Sequence, residues 1–361
     1  MTTSAFDPAS RFRFVQFISG LEKAGWEVVH RPNVPDRLWK SRLPGRIPRA
    51  VHHRLGEGLM KWNRWRDVSE AGEFDAVFVN RDLAGRGGFF ERRLLRRNPR
   101  VVFDFDDAIF IGRNEATVRW MCRNAAWVTP GNQYLAEFVQ RETDRFTVVP
   151  TVVDTELYRP RRGDAPGHPG PVRVGWSGSD QSIRATLVPH LEMLAALQSK
   201  LDFELVVITN TKPDFSVPAL RWSFLPWTPE GDYELAERMD IGLMPLVEDE
   251  FSRGKCGLKL LQYMASGLPT VASPVGVNAT ITQPFRTGFL AGTADEWAAA
   301  IEALVQSADK RAQMGAAGRQ RCEESYSVVR WLPVLLDLLA RVGRVGAASE
   351  SGVKTPGRSP A

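Results

Sequence analysis

Short apolar, β-branched runs recur along the chain, and helical periodicity fills the intervals between them. In the first half they are Ala76-Val77-Phe78-Val79, Val101-Val102-Phe103-Asp104-Phe105, Ala126-Trp127-Val128-Thr129 and Thr147-Val148-Val149-Pro150. Helices are predicted between them, notably over Phe89 to Arg97 and Gln133 to Arg141. Strands alternating with helices imply parallel sheets with crossover helices, so the fold class is α/β.

Residues 159–171 interrupt the pattern with RPRRGDAPGHPGP, which has linker composition and no hydrophobic period. A domain boundary is expected there, dividing an N-terminal domain over 1–158 from a C-terminal one over 172–327. The pattern restarts with a strand at Val172 to Trp176, a helix from about Arg184 to Ser199 and a strand at Glu204 to Ile208. Strands follow at Ile241 to Met244 and Thr270 to Ala272, with a helix from about Cys256 to Ser266 between them. Trp297 to Gln306 and Arg311 to Glu324 read as helices, Val328 to Val342 as a terminal amphipathic one, and 343–361 as a disordered tail. The opening is unusual for such a fold. A polar segment runs directly into a helical pattern over Phe14 to Ala24, so the usual first strand is expected to be missing.

Composition narrows the class. With 361 residues, 43% hydrophobic and 25% charged, the chain can bury one large or two medium cores. Cys122, Cys256 and Cys322 are odd in number and widely spaced, which suggests neither a disulfide framework nor a zinc site and fits a reducing, cytoplasmic setting. No signal-peptide core opens the sequence, and the late apolar stretch Trp331 to Ala340 is broken by Pro333 and Asp337. A soluble or peripheral protein is expected. The net charge of +5 is unevenly placed: residues 31–66 hold Arg31, Arg37, Lys40, Arg42, Arg46, Arg49, Arg54, Lys61, Arg64 and Arg66, interleaved with Trp39, Trp62 and Trp65. Such a stretch suits anionic lipid headgroups at the inner face of the cell membrane. Nucleic acid is not expected as a partner, because no recognisable module accompanies the charge. A merely solvated arginine-rich surface is the competing reading.

Candidate chemistry lies in three places. Ser177-Gly178-Ser179 forms a small-residue turn between a strand and a helix, where unpaired backbone N–H groups can receive a phosphate; a plain turn capped by serine is the alternative. Ser252 to Asn278 brings Arg253, Gly254, Lys255 and Lys259 to a predicted helix start, with Lys255, Lys259 and Gln262 on one face. Cations there are disfavoured by the helix dipole unless an anion such as a diphosphate sits against them. Asp104, Asp106 and Asp107 end a buried strand, where open α/β sheets place ligands. They could hold a metal, face an acceptor, or cap the next helix.

These stretches resemble glycosyltransferase family 4, above all bacterial members with D-x-D-D-A and G-K-C-G-L-K-x-x-Q-Y-M-A-x-G-x-P motifs. Here those are Asp104 to Ala108 and Gly254 to Pro269; further matches include Gly131 to Ala136, Asp240 to Leu246 and Met314 to Arg319. The collinear resemblance runs from about Phe74 to Ser327. It implies a GT-B fold, two Rossmann-like domains with parallel sheets facing across a cleft, the last helix packing back toward the first domain. It also implies a nucleotide diphosphate sugar donor on the second domain, a glycan or lipid-linked acceptor on the first, and retaining transfer with neither a bound metal nor another cofactor. Asp106, Asp107 and Lys255 are then the catalytic candidates. Ser177, Gly178, Ser179, Arg253, Gly254, Lys255, Lys259 and Gln262 are the donor-binding ones, with Gln262 where the family has a ribose-contacting glutamate.

The departures matter. Both acids of the family's E-x7-E signature are absent, since Gly254 and Gln262 stand at their positions. The loop cations of the family are replaced by Ser179 and Ala185, leaving the charge to Lys255 and Lys259. The expected function is a hexosyltransferase-type enzyme of cell-surface polysaccharide or glycolipid synthesis. A catalytically inactive sugar-nucleotide-binding scaffold and a GT-B nucleotide-sugar epimerase are the alternatives.

Overall fold

The computed structural model describes residues 1–4, 7–33, 49–81, 83, 87–112, 114–161, 170–215 and 217–350, with backbone alone for 49–57 and 344–350. The chain divides into two compact units, Met1–Val149 with Trp331–Ala361, and Pro150–Arg330. The division falls before the linker-like 159–171, because residues 150–161 are tied into the second unit. The Val153 N–H donates to the Tyr326 carbonyl at 2.9 Å, and Arg319 donates to the Thr155 carbonyl at 2.7 Å. The core of that linker, 162–169, lies outside the described residues.

In the first unit, β1 (Val77–Asn80), β2 (Val101–Phe105) and β3 (Trp127–Pro130) form a parallel sheet in that order. Nearly every strand residue is buried, as the apolar runs predict. The preceding segment holds α1 (Pro8–Arg13), α2 (Ile18–Lys23) and α3 (Arg49–Glu70); α4 (Phe89–Arg97), α5 (Glu115–Asn124) and α6 (Gln133–Gln140) follow β1, β2 and β3. The helix expected over Phe14 to Ala24 is broken, with a 3₁₀ turn at Val15–Phe17 between α1 and α2. Thr147 to Pro150 does not form the expected strand. It follows β3 through the Thr147 and Val149 N–H groups, each 3.0 Å from its carbonyl, and stops at Pro150, which has no donor. Among the described residues β1 is the first strand.

The second unit is a six-stranded parallel sheet in the order β6-β5-β4-β7-β8-β9. Its strands are β4 (Val172–Ser177), β5 (Phe203–Thr209), β6 (Trp222–Pro226), β7 (Ile241–Met244), β8 (Thr270–Ala272) and β9 (Gly288–Leu290). The helices are α7 (Asp180–Thr186), α8 (Leu191–Gln198), α9 (Leu235–Arg238), α10 (Glu250–Arg253), α11 (Leu258–Ala265), α12 (Asn278–Ile281), α13 (Ala294–Val305) and α14 (Ala308–Ser325). One core joins Trp176, Phe203, Leu205 and Leu243 of the sheet to Trp297 and Ile301 of α13. The helix predicted from Arg184 to Ser199 is two helices, α7 and α8, separated by a turn at Val188–His190 that contains Pro189. Gly315 lets α14 approach the end of α11, since a Cβ there would lie 2.0 Å from the Gly267 carbonyl oxygen.

The final helix, α15 (Val328–Glu350), runs past the expected end at Val342, so 344–350 continues the helix; 351–361 lies outside the described residues. Leu335, Leu338, Leu339 and Val342 make its buried stripe, at the i, i+3, i+4, i+7 spacing of a packed helix face. Residues from Trp331 onward group with the first unit: a Cβ on Gly20 would lie 2.5 Å from Leu332, and the Arg341 guanidinium lies 5.0 Å from the centre of the Trp127 ring.

Candidate functional site

In the second unit the strand order reverses between β4 and β7, and such a switch point opens a crevice at the carboxyl ends of the strands. The loop after β4 is Ser177-Gly178-Ser179, but much of its hydrogen-bonding capacity is used internally. The Ser177 N–H donates to the Tyr263 hydroxyl at 2.9 Å and the Gly178 N–H to the Ile208 carbonyl at 3.0 Å. Ser179 caps α7, accepting from the Ser182 N–H at 3.3 Å. Gly178 is required by packing: a Cβ would stand 2.2 Å from Cη2 of the buried Trp176. Asp180, which the sequence reading passed over, accepts from the Thr209 hydroxyl at 2.7 Å and the Thr211 N–H at 3.1 Å, pinning this loop to the end of β5. Burial pushes its carboxyl up, but those hydrogen bonds outweigh it and hold the pKa below the ordinary value.

The basic segment enters through α10, capped by Asp249, whose carboxylate accepts from the Ser252 N–H at 2.6 Å. Arg253 points to the surface and pairs with Glu248, both about half exposed. Gly254 has an ordinary right-handed backbone, φ −74°. The Lys255 ammonium lies 4.8 Å from the centre of the Phe251 ring. Helix α11 begins only at Leu258, capped by Gly257 with φ +70°. The expectation that Lys255, Lys259 and Gln262 share one helical face is therefore corrected: Lys255 precedes the helix. A tight turn nevertheless brings Lys255 close enough to repel the Lys259 charge.

Lys259 keeps part of its surface in solvent, but protein crowds its ammonium. Burial, offset by the attraction of Asp232 and reinforced by the Lys255 charge, pushes its pKa down to about 8. Among the described residues it makes no hydrogen bond or ion pair. Behind it lies a buried polar network. Asp232 Oδ2 accepts from the Tyr158 hydroxyl at 2.8 Å and from Gln262 Nε2 at 3.0 Å, while Gln262 Nε2 also donates to Tyr158 at 2.7 Å. Trp227 Nε1 donates to Asp232 Oδ1 at 3.1 Å. The Gln262 amide nitrogen is thus committed inside the protein. Asp232, Tyr158 and Tyr263 were not visible as site residues, because they meet Gln262 and Ser177 only in three dimensions.

The three aspartates of the first unit separate into two roles. Asp104 is a core residue: Arg13 Nη2 and Nε approach its two oxygens at 2.6 and 3.1 Å, Asn80 Nδ2 donates at 2.9 Å and Thr129 Oγ1 at 2.7 Å. Its carboxylate is filled by protein donors, so the metal reading of Asp104-x-Asp106 loses its first ligand. Asp106 and Asp107 lie beyond the strand end and take Arg81, whose Nε is 2.9 Å from Asp106 Oδ1 and whose Nη2 is 2.6 Å from Asp107 Oδ2. Arg81 has φ +61°, unusual for a residue with a side chain. Burial opposes its charge, but the two aspartates more than compensate and raise its pKa. Burial also pushes the nearby Asp7 carboxyl up, against the pull of Arg81. Among the described residues no group of three or more His, Cys, Asp or Glu is placed to hold a metal ion.

The basic stretch 31–66 is only partly described, since Arg37, Trp39, Lys40, Arg42 and Arg46 and the side chains of Arg49 and Arg54 lie outside the described residues. Arg64 is structural, fully buried against Asp67 and the Leu83 carbonyl, and Arg31 pairs with Glu70. Lys61, Trp62, Trp65 and Arg66 are exposed.

A family profile described as Glycosyl transferases group 1 matches residues 184–307, a window holding Lys255, Lys259, Gln262 and Asp232. The D-inositol 3-phosphate glycosyltransferase of Stackebrandtia nassauensis is 28% identical over 258 residues, covering 63% of this chain and 55% of that protein. The chain spans about half the length of the curated relatives it matches. A glycosyltransferase structure from Rickettsia africae superposes with TM-score 0.65 at 12% identity, over 94% of this chain and 97% of that one. Anabaena Alr3699/HepE in complex with UDP superposes with TM-score 0.56 at 15% identity, over 90% and 89%. The two parallel-sheet units thus give this chain the GT-B fold, and its residues 184–307 carry the Glycosyl transferases group 1 signature.

Proposed function

We propose that this chain transfers a sugar, with retention of anomeric configuration, from a nucleoside diphosphate sugar to a glycan or lipid-linked acceptor in cell-surface polysaccharide or glycolipid synthesis. The observation that carries the reading is the Lys255 and Lys259 pair at the start of α11, inside the group 1 window and beside the switch point of the second sheet. Two lysines whose charges repel, with no carboxylate bonded to Lys259, favour a multiply charged anion that meets both. Superposable GT-B structures hold UDP or UDP-glucose, which supports a nucleoside diphosphate as that anion.

In the proposed step the bond from the anomeric carbon to the diphosphate oxygen breaks as the acceptor hydroxyl oxygen bonds to that carbon from the same side. The electron pair leaves with the diphosphate, and Lys255 and Lys259 stabilise its growing charge. A diphosphate oxygen takes the hydroxyl proton, so the missing E-x7-E carboxylates are not needed as bases. Asp106 and Asp107, oriented by Arg81, serve as acceptors for hydroxyl groups of the acceptor. The transfer needs no bound metal, a reading supported by the commitment of Asp104 to Arg13, Asn80 and Thr129.

Titration calorimetry with UDP and GDP, followed by donor hydrolysis by wild type and Lys255→Ala, tests the reading. Binding with turnover that Lys255→Ala abolishes is expected, indifferent to EDTA. Binding without turnover would assign the chain to an inactive scaffold, and the absence of UDP and GDP binding would end the transferase reading.

A further inference from the structure

We propose that the exposed aromatic face of α3 and α4 seats this chain on an anionic lipid bilayer, an inference that goes beyond the donor site and does not depend on it. The polarity of α3 is turned inside out. Its buried side carries the Arg64–Asp67 ion pair, both side chains 1% exposed. Its outward side carries Leu59, Trp62 and Trp65, with Trp62 69% exposed. Phe89, at the start of α4 and 56% exposed, stacks on Trp65 with ring centres 6.2 Å apart.

One cation lies against these rings and others are exposed on the same helices. The Arg93 guanidinium lies 4.2 Å from the centre of the Trp65 ring, and its buried Nε makes no hydrogen bond among the described residues. Lys61, Arg66, Arg96 and Arg97 are exposed on the same two helices. Large aromatic surface is rarely left in water without a partner. Indole rings settle at the depth of lipid headgroups, where neighbouring Lys and Arg meet phosphates. A second copy fits less well, because a two-fold contact through this face would set its cations against themselves. Among the described residues no helix is long and apolar enough to cross a membrane, so the contact is with the bilayer surface.

The test is co-sedimentation of the full chain with vesicles of phosphatidylcholine alone or mixed with phosphatidylglycerol, at low and high salt. Binding to the phosphatidylglycerol vesicles is expected, weakened by salt and reduced about tenfold or more by Trp62→Ser/Trp65→Ser. The reversal Lys61→Glu/Arg97→Glu should weaken it with an unchanged melting curve. Trp62→Ser alone guards against a folding defect, since that ring is the most exposed of the face. UDP binding should survive in all three variants. Four outcomes would overturn the proposal: no binding to phosphatidylglycerol vesicles, equal binding to phosphatidylcholine, binding indifferent to the tryptophan substitutions, or a self-associated state or a DNA complex, in place of vesicle binding, that Trp62→Ser abolishes.

Discussion

Replacing Lys259 by methionine separates stability from function at the candidate donor site. Methionine keeps most of the side-chain length and packing but removes the ammonium. The folded protein lowers the Lys259 pKa from 10.5 to about 8, so its charged form is disfavoured there relative to the unfolded chain. At about 1.4 kcal/mol per tenfold in proton affinity, and with allowance for the part of the side chain left in solvent, this is a penalty on the order of 1 to 3 kcal/mol. Between about pH 8 and 10.5 the unfolded chain binds the proton more readily than the folded one, so wild-type stability from this group rises with pH. The penalty is fully present below pH 8 and fades toward 10.5. Lys259→Met should therefore be more stable than wild type by about 1 to 3 kcal/mol at neutral pH, with the gap closing in more alkaline buffer. Urea denaturation across that range reads it. The same substitution removes a charge-assisted contact to the diphosphate and should weaken UDP or GDP binding by about 10- to 100-fold. A variant less stable than wild type, or one that binds nucleotide as well as wild type, would refute the reasoning.

The remaining predictions concern single groups. UDP affinity should fall as pH rises through about 8, where free Lys259 loses its proton, and binding should take up protons there; calorimetry in two buffers of different ionisation enthalpy detects the uptake. Arg13→Ala strands the Asp104 carboxylate in the core with only neutral donors, and should cost about 3 to 5 kcal/mol, seen as early hydrogen exchange across β1 to β3. Gly257→Ala forces a side chain onto a φ of +70°, with its Cβ 2.3 Å from Ile281 Cδ1, and should destabilise by about 2 kcal/mol or more in denaturant titration.

Much of the fold was legible because fully buried strands leave an apolar run that no partner is needed to recognise. Val101 to Phe105 and Ile241 to Met244 are of this kind, and Phe203 to Thr209 nearly so, with Glu204 alone half-buried. The unread strands lack that signature: β6 is half exposed and ends in Pro226, and β9 spans only three residues, the first of them Gly288. Helix limits failed where one residue broke the period, at Pro189 between α7 and α8 and at Gly257 before α11.

The candidate site divides in the same way. The sequence by itself determined the α/β alternation, the clustering of Lys255 and Lys259 and the placing of three aspartates at the end of a strand, because each is a property of neighbours along the chain. Only the tertiary structure decided what those groups face. It gave Asp104 to Arg13, 91 residues away, and left Asp106 and Asp107 to Arg81 at the strand end. It set Asp232 and Tyr158 behind Gln262, the latter across 104 residues, and crowded Lys259 enough to weaken its hold on a proton. Hydrogen bonds and desolvation depend on what is within a few ångströms, and the folding of distant segments onto one another supplies those neighbours.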